Sequence, residues 1–383
     1  MNFTADRKEL AKAVKTALKA ASRMKDVPAM NGVLMKADAA KGVLTVTGTD
    51  GTMQIQCRLK CEHISESGAA VVPSVCADML RLLPGDTVEV GQDPTAQNTL
   101  TLGAGQCVYA LPYLEAEEFP KIFTIYPKEY ISVRGINALI RHAAFAAAEN
   151  NAETAKRGLQ CVKLSFQGGK STAEATNGMV AAIVKTPHGS DGSLDLILPE
   201  RVLNTLSETV ASSEELYVGV REKSVVFMTE SMTFSTLLHT GETVDIGKIF
   251  ERFTPVYRAT ADAKELYDLT ANIVAILGEK DDRCVTISIE SGKITAKTKT
   301  ATGCASASIQ ATDTVPTEGD GFHYNPKWLI DCWRLAAGPT VISMDRRGFL
   351  MIEANHNRYC VVPRGPVTIR LPEPKKEKKT KAA

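Results

Sequence analysis

Three proline-marked segments recur along the chain at nearly equal intervals. Val71-Val72-Pro73 runs into CADMLRLL, Ile197-Leu198-Pro199 into RVLNTLSETV, and Tyr324-Asn325-Pro326 into KWLIDCWRLAAG. The prolines stand 126 and 127 residues apart. A long internal period constrains the fold more tightly than composition does, because every copy must satisfy the same architecture. Proline at or near a first helical turn removes only an N–H that the helix leaves unpaired, so each segment predicts a helix start.

The order around the prolines also repeats. Upstream of each lies a helical pattern: DRKELAKAVKTALKAASR, GINALIRHAAFAAAE and DAKELYDLTANIVAILG. Each is followed by two alternating apolar segments, VLMKADAAKGVLTVTG, VKLSFQGGKSTAEAT and VTISIESGKITAKT, whose turns carry Gly as hairpins favour. Further strand patterns follow each proline-marked helix. A small turn is written twice as well, VTGTDGT at 46–52 and EATNGMV at 174–180, whereas the third copy has Lys297-Thr298-Lys299-Thr300 in its place. The expected organisation is α+β: three tandem similar domains at 1–125, 126–252 and 253–372, each with two helices on antiparallel sheet. Each is long enough to hold its own core. Residues 373–383 are expected to be a disordered basic tail.

Composition narrows the function classes. The chain is 44% hydrophobic and 23% charged, which suits ordinary globular domains. No apolar run approaches the ~20 residues of a membrane span, and MNFTADRKEL has no signal-peptide core, so a cytoplasmic location is expected. Nine scattered cysteines in such a chain read as free thiols. The formal net charge is +1, yet 375–381 alone carries five lysines against one glutamate, which leaves a mildly acidic body. A local basic stripe is still permitted, because field depends on placement.

The first helical pattern supplies such a stripe. Leu10, Val14 and Leu18 form a buried face, while Lys8, Lys12, Lys15 and Lys19 share the other, followed by Arg23 and Lys25. Other helical patterns add Arg81, Arg141, Arg201, Lys264, Lys327 and Arg334. Similar domains turning paired helices to one side would line a common surface suited to phosphates, with affinity and no sequence readout. The alternative for any one helix is a solvated face.

Catalytic patterns are weak. Ser22-Arg23-Met24-Lys25 fits S-x-x-K but lacks the S-D-N and K-T-G partners, and Cys57, Cys61 and His63 lack a second cluster for zinc. There is no P-loop, GxGxxG, G-x-S-x-G or H-E-x-x-H. No cofactor, metal or catalytic residue is expected.

Repetition, paired helices, the basic stripe and the want of a catalytic set together resemble the bacterial DNA polymerase III β subunits, the sliding clamps. The resemblance spans about 1–366 and is carried by NGVLMKADAAKGVLTVTGTD (31–50), LPYLEAEEFP (111–120), EATNGMVAAIVKTP (174–187), LILPERVLNTL (196–206), FHYNPKWLIDCW (322–333) and RYCVVP (358–363). It implies the DNA-clamp fold and a head-to-tail ring dimer with helices around duplex DNA. Lys12, Lys19, Arg23, Lys25, Arg81, Arg141, Arg201 and Lys327 would then face DNA. Tyr109, Ile276 and Leu277 would form the seam between copies.

The resemblance also implies a pocket for a short linear peptide of partners such as a DNA polymerase and clamp-loader subunits. That pocket falls on Lys156, Leu159, Thr176, Gly178, Met179, Val180, Ala181, Val244, Lys248, Ile249, Val362, Pro363 and Arg364. Two segments depart from the family pattern. Gly178-Met179-Val180-Ala181 stands where members commonly have Gly-His-Arg-Leu, and Val362-Pro363-Arg364 where they have Met-Pro-Met. Arg364 would then favour an acidic peptide residue. These departures leave open a divergent clamp of a phage or mobile element, and a non-ring interaction protein built on the same domain.

Overall fold

Asp6 starts the first helix by accepting a hydrogen bond from Glu9 N at 2.8 Å. From there α1 (Arg7–Leu18) buries Leu10 and Val14 as their spacing predicts, together with Ala13 and Ala17, while Leu18, expected on the same face, is only half-buried beside the cleft with Lys19. It packs on α2 (Cys76–Leu82) and on the strands Val43–Thr49 and Met53–Lys60. Gly48 makes that approach possible: a Cβ there would lie 2.0 Å from the Ala17 carbonyl oxygen, inside any permitted contact.

The structure is a computed structural model describing residues 1–22, 27–93, 95–121, 125–149, 158–186, 191–212, 214–278, 283–300 and 303–365. Arg23, Lys25, Lys156 and the basic tail at 373–383 lie outside the described residues. The chain divides into two compact units.

The first unit comprises Met1–Ala144, Lys163–Thr172 and Thr186–Gly241. It contains a five-stranded antiparallel sheet in the order His63–Glu66, Asn2–Asp6, Thr87–Gln92, Thr99–Ala104 and Cys107–Pro112. An eight-stranded sheet runs from Ile131–Val133 through Leu216–Arg221, Ser224–Met228, Met232–Leu237, Met53–Lys60, Val43–Thr49 and Gly32–Asp38 to Gly68–Pro73. This sheet explains why the unit does not follow the sequence period. Met232–Leu237 pairs antiparallel with Met53–Lys60, Met232 opposite Cys57 and Thr236 opposite Met53, so the first and second copies share backbone hydrogen bonds. Two further helices, α3 (Ile136–Ala144) and α4 (Glu200–Thr209), pack on each other as α1 does on α2. Asn137 Nδ2 donates to the Val210 carbonyl at 2.7 Å and fastens that pair.

The second unit comprises Phe145–Val162, Ala173–Lys185 and the chain from Glu242 onward. Its larger sheet includes, as successive neighbours, Val180–Thr186, Asn357–Val361, Leu350–Ala354, Pro339–Met344, Tyr257–Asp262 and Thr312–Val315. A smaller one runs Cys304–Gln310, Lys293–Lys299, Val285–Glu290 and Phe322–Tyr324. Its helices are α5 (Ile246–Glu251), α6 (Ala263–Val274) and α7 (Pro326–Leu335). The α6–α7 pair is locked where the buried indole of Trp333 donates to Thr270 Oγ1 at 3.1 Å. The described residues thus hold seven α-helices on antiparallel sheets.

The proline marks are not equivalent. Pro326 is the first residue of α7 behind its Asn325 cap, and Pro199 is itself the cap position of α4. Pro73 ends a strand, paired with Gly32, and α2 begins only at Cys76. Hairpin glycines are placed as expected: Gly42, Gly169 and Gly292 all have positive φ, of 63°, 82° and 76°.

Candidate functional site

The turn written twice in sequence is built twice in structure. Thr49 Oγ1 donates to the Met53 carbonyl at 2.7 Å and accepts from Gly51 N at 3.0 Å. Asp50 Oδ1 accepts from Met53 N at 2.9 Å. In the second copy Thr176 Oγ1 donates to the Val180 carbonyl at 2.8 Å and accepts from Gly178 N at 3.1 Å, while Asn177 Oδ1 accepts from Val180 N at 2.9 Å. Gly51 and Gly178 take φ of +85° and +87°, which disfavours a side chain at either. The third copy keeps a remnant: Thr300 Oγ1 lies 3.2 Å from the Gly303 carbonyl it donates to.

The second turn borders a cavity of about 500 Å³ lying wholly within the second unit. Its lining is Thr176, Gly178, Val180, Ala181, Asp245, Lys248, Ile249, Arg252, Phe253, Arg347, Phe349, Cys360 and Val362. The floor exists because Val180–Thr186 pairs with Asn357–Val361, Ala181 opposite Cys360, and because α5 lays Ile246 and Phe250 against them. Ile249, Phe253 and Phe349 pack around that core half-buried, presenting apolar surface to the cavity. Burial pushes the Cys360 thiol up to about 12, so it stays a neutral, apolar floor group.

Charges ring the apolar floor. Asp245 caps α5 through Lys248 N, and its carboxylate lies 3.0 Å from Lys248 Nζ, holding that ammonium above its ordinary pKa. Asp345 is deeply buried and accepts from Arg347 N and Phe349 N, each at 2.9 Å. It also receives the Arg347 guanidinium, with Nε at 2.9 Å and Nη2 at 2.8 Å. The guanidinium carbon stands 4.8 Å from the Phe349 ring centre.

Of the residues singled out in sequence for a peptide pocket, Thr176, Gly178, Val180, Ala181, Lys248, Ile249 and Val362 line this cavity. Leu159, Met179, Val244, Pro363 and Arg364 are not among its lining residues. Met179 is exposed, and its carbonyl accepts from Val362 N at 2.9 Å. Arg364 turns to the Arg283 carbonyl, donating from Nη1 at 2.7 Å. The cavity arginines are instead Arg252 and Arg347, to which the sequence gives no pointer, nor does it to Asp245, Phe253, Phe349 and Cys360. The run Asp345-Arg346-Arg347-Gly348 signals a turn, but only the sheet pairing shows which surface that turn borders.

The helix cations are exposed, but several are engaged. In the first unit Lys12 and Lys15 on α1 and Arg141 on α3 face solvent and make no ion pair among the described residues. Lys8 pairs with Asp86 at 3.1 Å, Lys19 with Glu208 at 3.6 Å and Arg81 with Asp78 at 3.9 Å. Such exposed pairs contribute about 0–1 kcal/mol and exchange readily for other anions. Arg201 differs, because its partner Asp50 is only 6% exposed. Lys19, Arg201, Asp50 and Glu208 border one polar cleft with Ser22 and Thr205. In the second unit Lys327 lies 4.6 Å from the Trp328 ring centre, and Lys264 and Arg334 are exposed.

Each unit also has a sheet edge without a strand partner among the described residues: Cys107–Pro112 in the first and Cys304–Gln310 in the second. Tyr109 is half-buried on the former, beside exposed Val108. Ile276 is exposed and Leu277 half-buried just past α6, the helix that packs on Cys304–Gln310. Among the described residues no three His, Cys, Asp or Glu side chains converge as metal ligands. No described helix is long and apolar enough to cross a membrane.

Comparison with known proteins points to one family of relatives. The family model for the DNA polymerase III beta subunit, N-terminal domain, matches residues 1–123. The beta sliding clamp of Bacillus subtilis is 22% identical over 361 residues, covering 89% of this chain and 92% of its own. The chain is similar to the β sliding clamps. The beta sliding clamp of Synechococcus elongatus is 25% identical over 271 residues, 69% of this chain and 70% of that protein. In fold, the crystal structure of the Bacillus subtilis DNA polymerase sliding clamp superposes with a TM-score of 0.86 at 19% identity, covering 96% of this chain and all of that one. The cavity has an apolar floor, and its cationic rim comes from Lys248, Arg252 and Arg347.

Proposed function

We propose that the protein is a DNA sliding clamp: two copies close a ring around duplex DNA and hold a replicative polymerase on its template. The observation that carries this reading is the placement of exposed cations on paired helices, Lys12, Lys15 and Arg81, then Arg141 and Arg201, then Lys264 and Lys327. Diffuse lysine and arginine contacts to phosphate hold the duplex without reading sequence, which suits a protein that must slide. We read the chain as three copies of one domain, at 1–125, 126–252 and 253–372, acting in the cytoplasm without a catalytic site of its own.

Ring closure is supported by two of the sheet edges that have no strand partner among the described residues. Cys107–Pro112 of one copy would meet Cys304–Gln310 of the next, with Tyr109, Ile276 and Leu277 as apolar seam. A head-to-tail contact of two different surfaces closes when the rotation returns to the start. The cavity bordered by Thr176 and Val362 would take a short linear peptide from the polymerase or a clamp-loader subunit, apolar side chains on the floor.

The decisive experiment is gel filtration of the protein assembled on a nicked circular plasmid. The protein is expected to co-elute with the circle and to be released when a restriction enzyme linearises it. Equal retention on linear DNA, or elution as a single chain at micromolar concentration, rules the ring out.

A further inference from the structure

The eight-stranded sheet of the first unit ends on a strand too short to cover its neighbour. Ile131–Val133 pairs with Leu216–Arg221 over three residues only, Ile131 opposite Val218 and Val133 opposite Leu216. The hairpin beyond fixes which way the uncovered backbone points. Leu216–Arg221 returns as Ser224–Met228 through Glu222 and Lys223, so Arg221 and Ser224 close a two-residue turn as a hydrogen-bonded pair, and Gly219 and Tyr217 repeat that pattern. Leu216, Val218 and Val220 then aim their N–H and C=O at the edge. The outer strand shows the same alternation: Ser132, opposite Tyr217, sends its N–H outward to Asp191 Oδ1 at 2.7 Å. Val220 is the next edge position after Val218, and its outward N–H and C=O have no backbone partner among the described residues.

The cause of the open edge is local. Continued pairing would set Glu129 opposite Val220, but the chain from Pro127 to Glu129 leaves the edge and crosses the sheet face at Gly219. A Cβ on Gly219 would lie 2.6 Å from the Pro127 ring and 3.0 Å from the Glu129 carbonyl oxygen, so a side chain there would block the crossing. A groove of about 520 Å³ results, lying wholly within the first unit. Val218, Gly219 and Val220 line it beside Tyr126, Ile131 and Leu194. Tyr126 is 69% exposed, a large aromatic face left in water. Lys128 and Arg221 also border the groove, both exposed and in no ion pair among the described residues, against one lining carboxylate, Glu129. The lining is thus positive by one charge.

We propose that this groove is a docking site for an extended segment of a partner protein, which adds to the sheet edge as a short strand. Its backbone exchanges two hydrogen bonds with Val220, an apolar side chain rests on Tyr126 and Ile131, and an Asp or Glu side chain meets Arg221 and Lys128. A donor and an acceptor presented together at strand spacing call for another strand, and pockets for alternate side chains then set specificity. Asp191, by occupying Ser132 N–H, confines the added strand to the Val220 side. The site is separate from the Thr176 cavity, which belongs to the other unit, and does not depend on ring closure.

The test uses the full-length protein and dye-labelled, capped hexapeptides of alternating Val and Thr that carry one Asp, or Lys in its place. Fluorescence anisotropy should show the Asp peptides binding about tenfold more tightly than the Lys peptides. Hydrogen-exchange mass spectrometry should show slowed exchange in the segment containing Val220 and unchanged exchange around Thr176. Scanning N-methylation along the peptide should abolish binding at every second residue, because alternate N–H groups of a strand face the same edge. Lys128→Glu with Arg221→Glu should reverse the charge preference and keep the N-methyl pattern. Val220→Pro removes the outward donor at an edge position that tolerates proline, and should weaken binding about tenfold. Absence of saturable binding, an N-methyl scan without that alternation, protection that falls elsewhere, or a charge preference that survives the double reversal would each overturn the proposal. Retention on circular DNA is a separate measurement, so failure of the ring and failure of this site are told apart.

Discussion

Arg201 Nη2 lies 2.8 Å from Asp50 Oδ2, joining the start of α4 to the Thr49-Asp50-Gly51 turn across 151 residues of sequence. The Asp50 side chain is 6% exposed, and its other oxygen is committed to Thr52 and Met53. Arg201 is therefore a structural cation as well as a candidate for DNA contact. Removing it strands a nearly buried carboxylate. Arg201→Met is expected to lower stability by about 1–3 kcal/mol. Arg201→Met with Asp50→Asn should recover part of that loss. Urea unfolding of the four proteins measures the coupling; a coupling near zero would mean that the pair is only a surface contact.

Lys12 and Lys15 offer a cleaner probe of the DNA surface, since both are exposed on α1 and make no ion pair among the described residues. The double substitution Lys12→Glu and Lys15→Glu should leave the unfolding midpoint nearly unchanged, as surface substitutions do within about 0.5 kcal/mol. Retention on circular DNA should fall, and the logarithmic salt slope should become shallower by about one for each phosphate no longer neutralised. A weakened retention with an unaltered slope would mean that these lysines act other than through phosphates.

What could be read from the sequence was local and periodic. Leu10, Val14 and their partners showed α1 through spacing alone, and Gly42, Gly169 and Gly292 marked hairpin turns because only glycine takes those φ values freely. The Thr-Asx-Gly echo was legible for the same reason, being stereochemistry confined to a few residues. Of the cavity, the turn at Thr176 and Gly178 was legible from that local signal, while Lys248, Ile249 and Val362 were reached only through the family resemblance. Phe253, Arg347, Phe349 and Cys360 join it through the pairing of Val180–Thr186 with Asn357–Val361 and the folding of α5 onto that surface. Such register is set by long-range packing, which nothing near residue 347 announces. Arg364 drew notice because it adjoins a recognisable motif, yet its guanidinium is spent on the Arg283 carbonyl. The partner of Arg201 was equally hidden, since acid and base lie in different copies.

Thr176 borders the cavity, but its hydroxyl is already occupied: it donates to the Val180 carbonyl and accepts from Gly178 N. The residue therefore shapes the cavity and has no proton left to offer a ligand. Thr176→Ser should bind short peptides with apolar anchors as the unaltered protein does. Thr176→Val, equal in shape but without the hydroxyl, should weaken binding and cost about 1–3 kcal/mol of stability, because Gly178 N and the Val180 carbonyl lose their partner. Thr49→Val should cost a similar amount and leave peptide affinity unchanged, since Thr49 belongs to the other unit. Equal loss of peptide affinity in both valine variants would show that the effect is global destabilisation.

His142 on α3 makes the fold sensitive to acid. Burial is the main cause of its lowered pKa, and the neighbouring Arg141 charge adds to it, so the folded state holds the ring neutral below its ordinary 6.5. The unfolded chain protonates that ring at about 6.5, and so binds more protons than the folded one just below that pH. Stability is therefore complete above 6.5 and is lost as pH falls toward the folded value. His142→Gln removes the titration while keeping a polar side chain of similar reach. Urea midpoints measured from pH 7.5 down to 5.5 are expected to fall for the unaltered protein and to fall less steeply for the variant. Parallel slopes would show that another group governs the acid limb, and a steeper slope in the variant would reverse the sign argued here.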